Sequence, residues 1–143
     1  MQLSATRVID RPALQVFAFV ADVSNNPRWQ KGQVSCRWTT PPPVGIGSTY
    51  DQEARFLGRR VLSTFEVVEY QPGRSVTIQT VTSSFPIRVR RSVEPLDEGR
   101  SRVVAEIDGE PGGFFRLVAP LVRRLAQRSV DADYDRLKDL LES

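Results

Sequence analysis

Two charged side chains stand where the surrounding pattern asks for apolar ones. Arg91 falls on the inward side of the alternating run Phe85, Ile87, Val89, Arg91, Val93. Asp133 falls on the inward side of a helical run near the C-terminus. A buried arginine stays charged and needs a partner. Arg91 is therefore either a side chain that snorkels to a sheet edge or a cavity charge facing Asp133 or a ligand carboxylate. Tyr50 and Gln52 also occupy inward alternating positions. Together the four could polarise a carbonyl or move a proton. For Asp133 that role requires burial that raises its pKa.

Other chemistry is sparse. Histidine is absent, which removes the commonest general base and metal ligand. Cys36 is the single cysteine, so no internal disulfide or cysteine metal cluster can form. Asp131, Asp133 and Asp135 are close on one helix but lack a metal partner set. Gly45-Ile46-Gly47 lacks the lysine and following helix of a phosphate loop, and neither HExxH nor Gly-x-Ser-x-Gly occurs. No cofactor is expected.

These residues must be positioned by one long helix and a set of strands. Phe114 to Glu142 repeats apolar residues at spacings of three and four, the helical period. Unbroken, it would be about 40 Å long. Pro120 should kink its first turns or mark the first position of a later start. The apolar stripe drifts, which suits a helix lying across a twisted sheet. Around Ala126, Ser129, Ala132 and Asp133 the inward side chains are small or polar. That means either close helix–sheet contact or a gap kept open for a ligand, and Asp133 suits a dry contact poorly. The basic residues Arg116, Arg123, Arg124 and Arg128 precede the acidic Asp131, Asp133, Asp135, Asp139 and Glu142. The helix macrodipole favours the reverse order. The basic half is either an ordinary solvated face or a contact for an anionic partner such as a membrane surface.

Earlier in the chain, Leu3 to Ile9 reads as a strand. Asp10 is expected to cap a helix whose first turn holds Pro12 and whose buried face is Ala13, Val16, Phe17 and Val20. Asp22 to Pro27 reads as a second, very short helix or a turn, closed by Pro27, and Trp29 as a packing plug at the corner. From Val34 the period becomes two. Val34, Cys36 and Trp38 face inward, then Tyr50, Gln52, Ala54 and Phe56. A turn at Gly58-Arg59 would pair Phe56 with Val61 and put Val61, Ser63, Phe65 and Val67 inward. With Tyr70 opposite Ser75, the next inward set is Val76, Ile78 and Thr80. A turn at Ser83-Ser84 pairing Thr82 with Phe85 gives the set that contains Arg91. Pro95 to Arg100 reads as a loop before Val103, Ala105 and Ile107.

The reading is an α+β fold over residues 1–143 as one domain. A seven-stranded curved antiparallel sheet wraps around a long C-terminal helix, with two short helices between strands 1 and 2. Seven strands cannot all reach one helix, so a cavity is expected between them, lined by aromatics and a few polar groups. Its candidate lining is Trp38, Tyr50, Gln52, Phe56, Phe65, Ile78, Val89, Arg91, Leu125, Ser129 and Asp133. Net charge is +3, too mild to argue for nucleic acid. Eighteen of the 20 basic residues are arginine, which we ascribe to codon bias. The start, Met1-Gln2-Leu3-Ser4, is no signal peptide, and Arg123-Arg124 interrupt the best apolar run, so a cytoplasmic protein is expected.

The chain resembles the START-like, Bet v 1-like helix-grip superfamily, in its polyketide cyclase/dehydrase and lipid transport branch. The resemblance rests on Ile9-Asp10-Arg11-Pro12 with Val16-Phe17, on Asp22…Pro27-Arg28-Trp29, on Val44-Gly45-Ile46-Gly47-Ser48 and on Val67-Val68-Glu69-Tyr70-Gln71-Pro72. Gly112-Gly113-Phe114-Phe115, Pro120-Leu121 and Leu137…Leu140-Leu141-Glu142 complete it. It implies a hydrophobic or amphipathic small molecule, such as a lipid or polyketide-like metabolite, held between sheet and helix. The alternative is a cyclase or dehydratase using the same cavity. A third, weaker reading is a partner-binding module with a filled core. The family has no shared catalytic motif, so no catalytic residue is transferred.

Overall fold

The computed structural model describes all 143 residues. The elements are β1 (Gln2–Ile9), α1 (Ala13–Ala21), a 3-10 turn (Val23–Asn25), α2 (Asn26–Trp29), β2 (Gln33–Trp38), β3 (Thr49–Phe56), β4 (Arg59–Gln71), β5 (Ser75–Ser83), β6 (Ile87–Asp97), β7 (Arg100–Gly109), α3 (Phe114–Leu117) and α4 (Ala119–Glu142). One antiparallel sheet runs β1-β7-β6-β5-β4-β3-β2. Strands two to seven form a meander, and β1 closes on β7. This is the α+β helix-grip fold.

Alternation fixes the inward faces even where turns differ from expectation. The β3–β4 turn is Leu57-Gly58, not Gly58-Arg59, so Phe56 pairs with Arg59 and Ala54 with Val61. Both turn residues have positive φ, 53° and 72°. Glycine takes the second of the two left-handed positions. Leu57 holds the first, with its side chain packed against the cluster of Val61, Phe115 and Val122. The shift from the expected register is two residues, so the parity is kept and Val61, Phe65 and Val67 still point inward. Gln71, not Tyr70, pairs with Ser75, and a bulge at Val68 restores Val67 opposite Ile78. The expected β5–β6 register holds, with Ile78 opposite Val89 and Val76 opposite Arg91. The tight turn does not. β5 stays with β4 to Ser83, and Phe85 swings in to meet Phe56 and Phe115, with centroids 6.2 and 5.2 Å away.

Other local expectations are corrected. Val34 is half-exposed because a bulge between Gln33 and Ser35 takes it out of the ladder. Pro95 to Asp97 belongs to β6, leaving a short turn at Glu98-Gly99 instead of a loop. Pro12 is the N-cap of α1, and its carbonyl accepts from Val16 N at 3.1 Å. Asp10 does not cap; its backbone N–H donates to Glu142 Oε2 at 2.7 Å. Pro27 opens α2 rather than closing it, as suits a residue with no N–H to leave unbonded. The C-terminal helix is broken at Val118 (φ −117°, ψ 29°), and Pro120 lies in the first turn of α4.

α4 runs beside the free edge of β1. Gln127 Nε2 donates to Ser4 O (3.0 Å), Arg7 Nε to Asp135 Oδ1 (2.6 Å) and Lys138 Nζ to Val8 O (2.6 Å), while Glu142 accepts from Asp10 N. The lengths match: six strand residues and fifteen helix residues both span about 20 Å. These side chains cover an edge that would otherwise present unpaired backbone groups. They also explain the inverted charge order, since Asp135 and Glu142 serve β1.

The core divides in two. The larger part gathers Ile9, Val16, Val20, Trp29, Phe65, Val67, Val103 and Leu137. Trp29 is fully buried, with its ring edge on Tyr134 at 4.9 Å, as its plug role requires. The smaller part joins Val61, Phe115 and Val122 under α3 and the start of α4.

Candidate functional site

Between the two core clusters the helix presents Ala126, Ser129, Val130 and Asp133, and these do not fill the space above β3–β6. The result is a cavity of about 210 Å³. Ile78, Val89, Ile107, Phe65, Val61 and Phe56 line it from the sheet. Phe85, Met1, Arg91, Tyr134 and Gln30 also line it. Ser129 and Arg55 are exposed and mark the mouth.

The candidate residues fall into two groups. Gln52, Phe56, Phe65, Ile78, Val89, Arg91, Ser129 and Asp133 are brought together on the cavity wall. Tyr50, Trp38 and Leu125 are not. Tyr50 is fully buried behind the wall, stacked on Phe65 with centroids 5.1 Å apart. Burial pushes its hydroxyl pKa up, and that hydroxyl has no hydrogen-bond partner. Trp38 turns away and donates from Nε1 to Asp22 Oδ1 at 3.1 Å. It borders a separate open groove of about 520 Å³ between α1, the β2–β3 connection and Tyr70. Leu125 is half-buried to one side, because Val122, Ala126 and Val130 take the inward line of α4.

Arg91 does not snorkel. It is 6% exposed. Its Nε donates to Tyr134 Oη at 2.9 Å, and its guanidinium carbon lies 5.3 Å from the centre of the Trp29 ring. Burial works against its charge, while Tyr134, Tyr50 and Cys36 around it favour it and leave its pKa above the ordinary arginine value. Of the cavity partners considered for Arg91, Asp133 does not pair with it. Asp133 instead accepts from Lys31 N (3.1 Å) and Arg136 Nη1 (2.9 Å). Burial raises its carboxyl pKa, against the pull of those two donors and of Arg91. Cys36 lies beneath, its thiol pushed up to about 11 by burial.

Several lining residues went unassigned to the site from sequence. Ala54, Val61, Phe85, Ile87 and Ile107 carried the right signal, because each sits on an inward alternating position. Gln30 and Gly32 carried none, since they come from the aperiodic connection between α2 and β2, and Gln33 is the first residue of β2, ahead of its bulge. Arg55 lies on the outward parity but curls to the mouth from the end of β3, where its N–H binds Gly32 O at 2.8 Å.

The sequence profile of the polyketide cyclase/dehydrase and lipid transport family matches residues 1–142. No curated protein matches the chain significantly. Among solved structures, a protein of Thermus thermophilus superposes with a TM-score of 0.83 at 20% identity, over 97% of this chain and 95% of that one. A START superfamily protein from Mycobacterium smegmatis gives 0.81 at 18%, over 99% and 97%. An aromatase/cyclase from Streptomyces sp. R1128 gives 0.81 at 13%, over 99% and 93%. At these identities the likeness establishes the fold alone.

Proposed function

Since the chain belongs to the polyketide cyclase/dehydrase and lipid transport family, we propose that it binds a small hydrophobic or amphipathic molecule in the space between α4 and the sheet. One observation carries the reading: two packed clusters are held apart by about 210 Å³ of apolar-walled space. A closed, dry void of that volume would forgo ~5 kcal/mol at ~24 cal/mol per Å³, an upper bound for this open space. That is a large share of the ~5–15 kcal/mol by which domains are stable. Stability alone would favour larger side chains at Ala126 and Ser129. An apolar cavity of ~150 Å³ accepts benzene, so this one suits a one- or two-ring compound or a short chain.

The cyclase or dehydratase reading uses the same walls, with Asp133 as proton carrier. The carboxylate is already held by Lys31 N and Arg136, which supports binding over proton transfer. A source for the ligand is suggested by Phe114, Leu117 and Leu121, exposed beside Arg116, Arg123 and Arg124. That face suits peripheral contact with an anionic membrane. Loss of sedimentation with phosphatidylserine vesicles in Arg123→Glu/Arg124→Glu supports the contact; unchanged sedimentation removes it.

Native mass spectrometry of the purified protein, with a thermal-shift panel of neutral one- and two-ring compounds, tests the main reading. Saturable stabilisation by at least one compound, or a retained small molecule, is expected. A bare mass with no stabilisation across the panel overturns it.

A further inference from the structure

We propose that the ligand is an acid, whose carboxylate is received by Arg91 while its apolar body lies along β6. The inference rests on the binding reading above and names the class of molecule. Arg91 is buried, yet its only hydrogen bond is the one from Nε to Tyr134 Oη. Its Nη groups have no acceptor in the protein, and none of the salt bridges includes it, Asp133 being paired with Arg136 instead. These Nη atoms are not sealed in the core but keep access to the cavity space, where only water or a ligand can accept from them. Gln30, whose Nε2 is a buried donor without an acceptor, is a residue of the same cavity wall.

The Arg91 Nη groups on this wall call for an acceptor that the protein does not supply. A carboxylate offers two oxygens in the geometry of the guanidinium fork. The charged groups on the wall are Arg55, Arg91 and Asp133, an excess of one positive charge. Asp133 is the one group that would repel an anion, and its charge is offset by Arg136. Tyr134 and Trp29 fix the guanidinium from α4 and α2. Val89 and Ile87 lie two and four residues along β6 from Arg91, leading towards Phe85. An acid anchored at Arg91 therefore lays its body on apolar wall.

Calorimetric titration with 2-naphthoate and its neutral isostere 2-naphthamide tests this. Wild type is expected to bind the acid at least tenfold more tightly than the amide. Arg91→Met is expected to bring that ratio to about one, with circular dichroism and thermal unfolding showing that the variant is folded. Arg91→Lys, which keeps the charge but not the fork, should retain part of the preference. Equal binding of both compounds by wild type, or a preference that survives Arg91→Met, overturns the inference and leaves the apolar-cavity reading standing. Binding of neither compound by wild type counts against both. The wild-type pair decides the matter even if Arg91→Met does not fold.

Discussion

Replacing Ala126 by leucine asks directly whether the space under α4 is empty. Ala126 sits on the inward line of α4 between Val122 and Val130 and borders the cavity. Leucine adds three carbons, worth ~0.8 kcal/mol each when buried, or ~2.4 kcal/mol together. Ordering the longer side chain costs ~0.5–1 kcal/mol, and the lower helix propensity costs a few tenths. The net gain is about 1–1.5 kcal/mol, which in a chain of this size raises Tm by about 3–5 °C. The same substitution takes up ligand volume, so affinity for any apolar compound that stabilises wild type should fall at least tenfold. Thermal unfolding followed by circular dichroism, with titration of that compound, reads both. The two effects have opposite signs, which a merely disruptive change cannot produce. A variant destabilised by ~1–3 kcal/mol, the usual cost of overpacking, would refute the reasoning, because it would mean that neighbouring side chains already occupy the site.

Three further outcomes follow from the same geometry. Cys36, with its thiol at about 11 against an ordinary 9.0, should hold ~100-fold less thiolate than a free cysteine near pH 8, and react with DTNB at least that much more slowly until urea is added; rapid labelling of the folded protein contradicts its burial. Asp133 has a raised folded pKa, so the native state binds its proton more tightly than the unfolded chain does, and its contribution to stability declines as pH rises through the window above 3.8. The stability of Asp133→Asn relative to wild type, from urea melts, should therefore climb through that window and then level off; a flat or falling difference refutes the assignment. A Cβ on Gly112 would lie 2.9 Å from the backbone oxygen of Ser84, whereas one on Gly45 meets nothing within 4 Å. Gly112→Ala should cost ~1–3 kcal/mol and Gly45→Ala at most a few tenths, both by denaturant melts; equal effects would mean that the Gly112 approach is not tight.

The faces of the strands were legible because side-chain alternation has only two states. The β3–β4 turn was misplaced, yet a shift of two residues left Val61 and Phe65 inward. The β4–β5 error of one residue was absorbed by the Val68 bulge. The helix and the small residues Ala126 and Ser129 on its cavity side were likewise written in the spacing, while Pro120 left open whether the helix kinks or starts later, and the structure breaks it at Val118. Local cues served less well. Asp10 and Pro27 looked like a cap and a stop, but the chain used Pro12 as the cap and placed Pro27 where its missing N–H costs nothing.

What the sequence determined by itself was this periodicity, and with it the helix-grip fold and the presence of an arginine on the inward side of β6. Which groups meet across the fold was settled only by the tertiary structure. Periodicity says which way a side chain points, not how far along its neighbour it lands. The placement of α4 on the edge of β1 gives Asp135 to Arg7 and Glu142 to Asp10, and leaves Asp133 to Lys31 and Arg136. That placement turns the inverted charge order into a set of edge contacts. It also brings Tyr134, rather than Asp133, against Arg91.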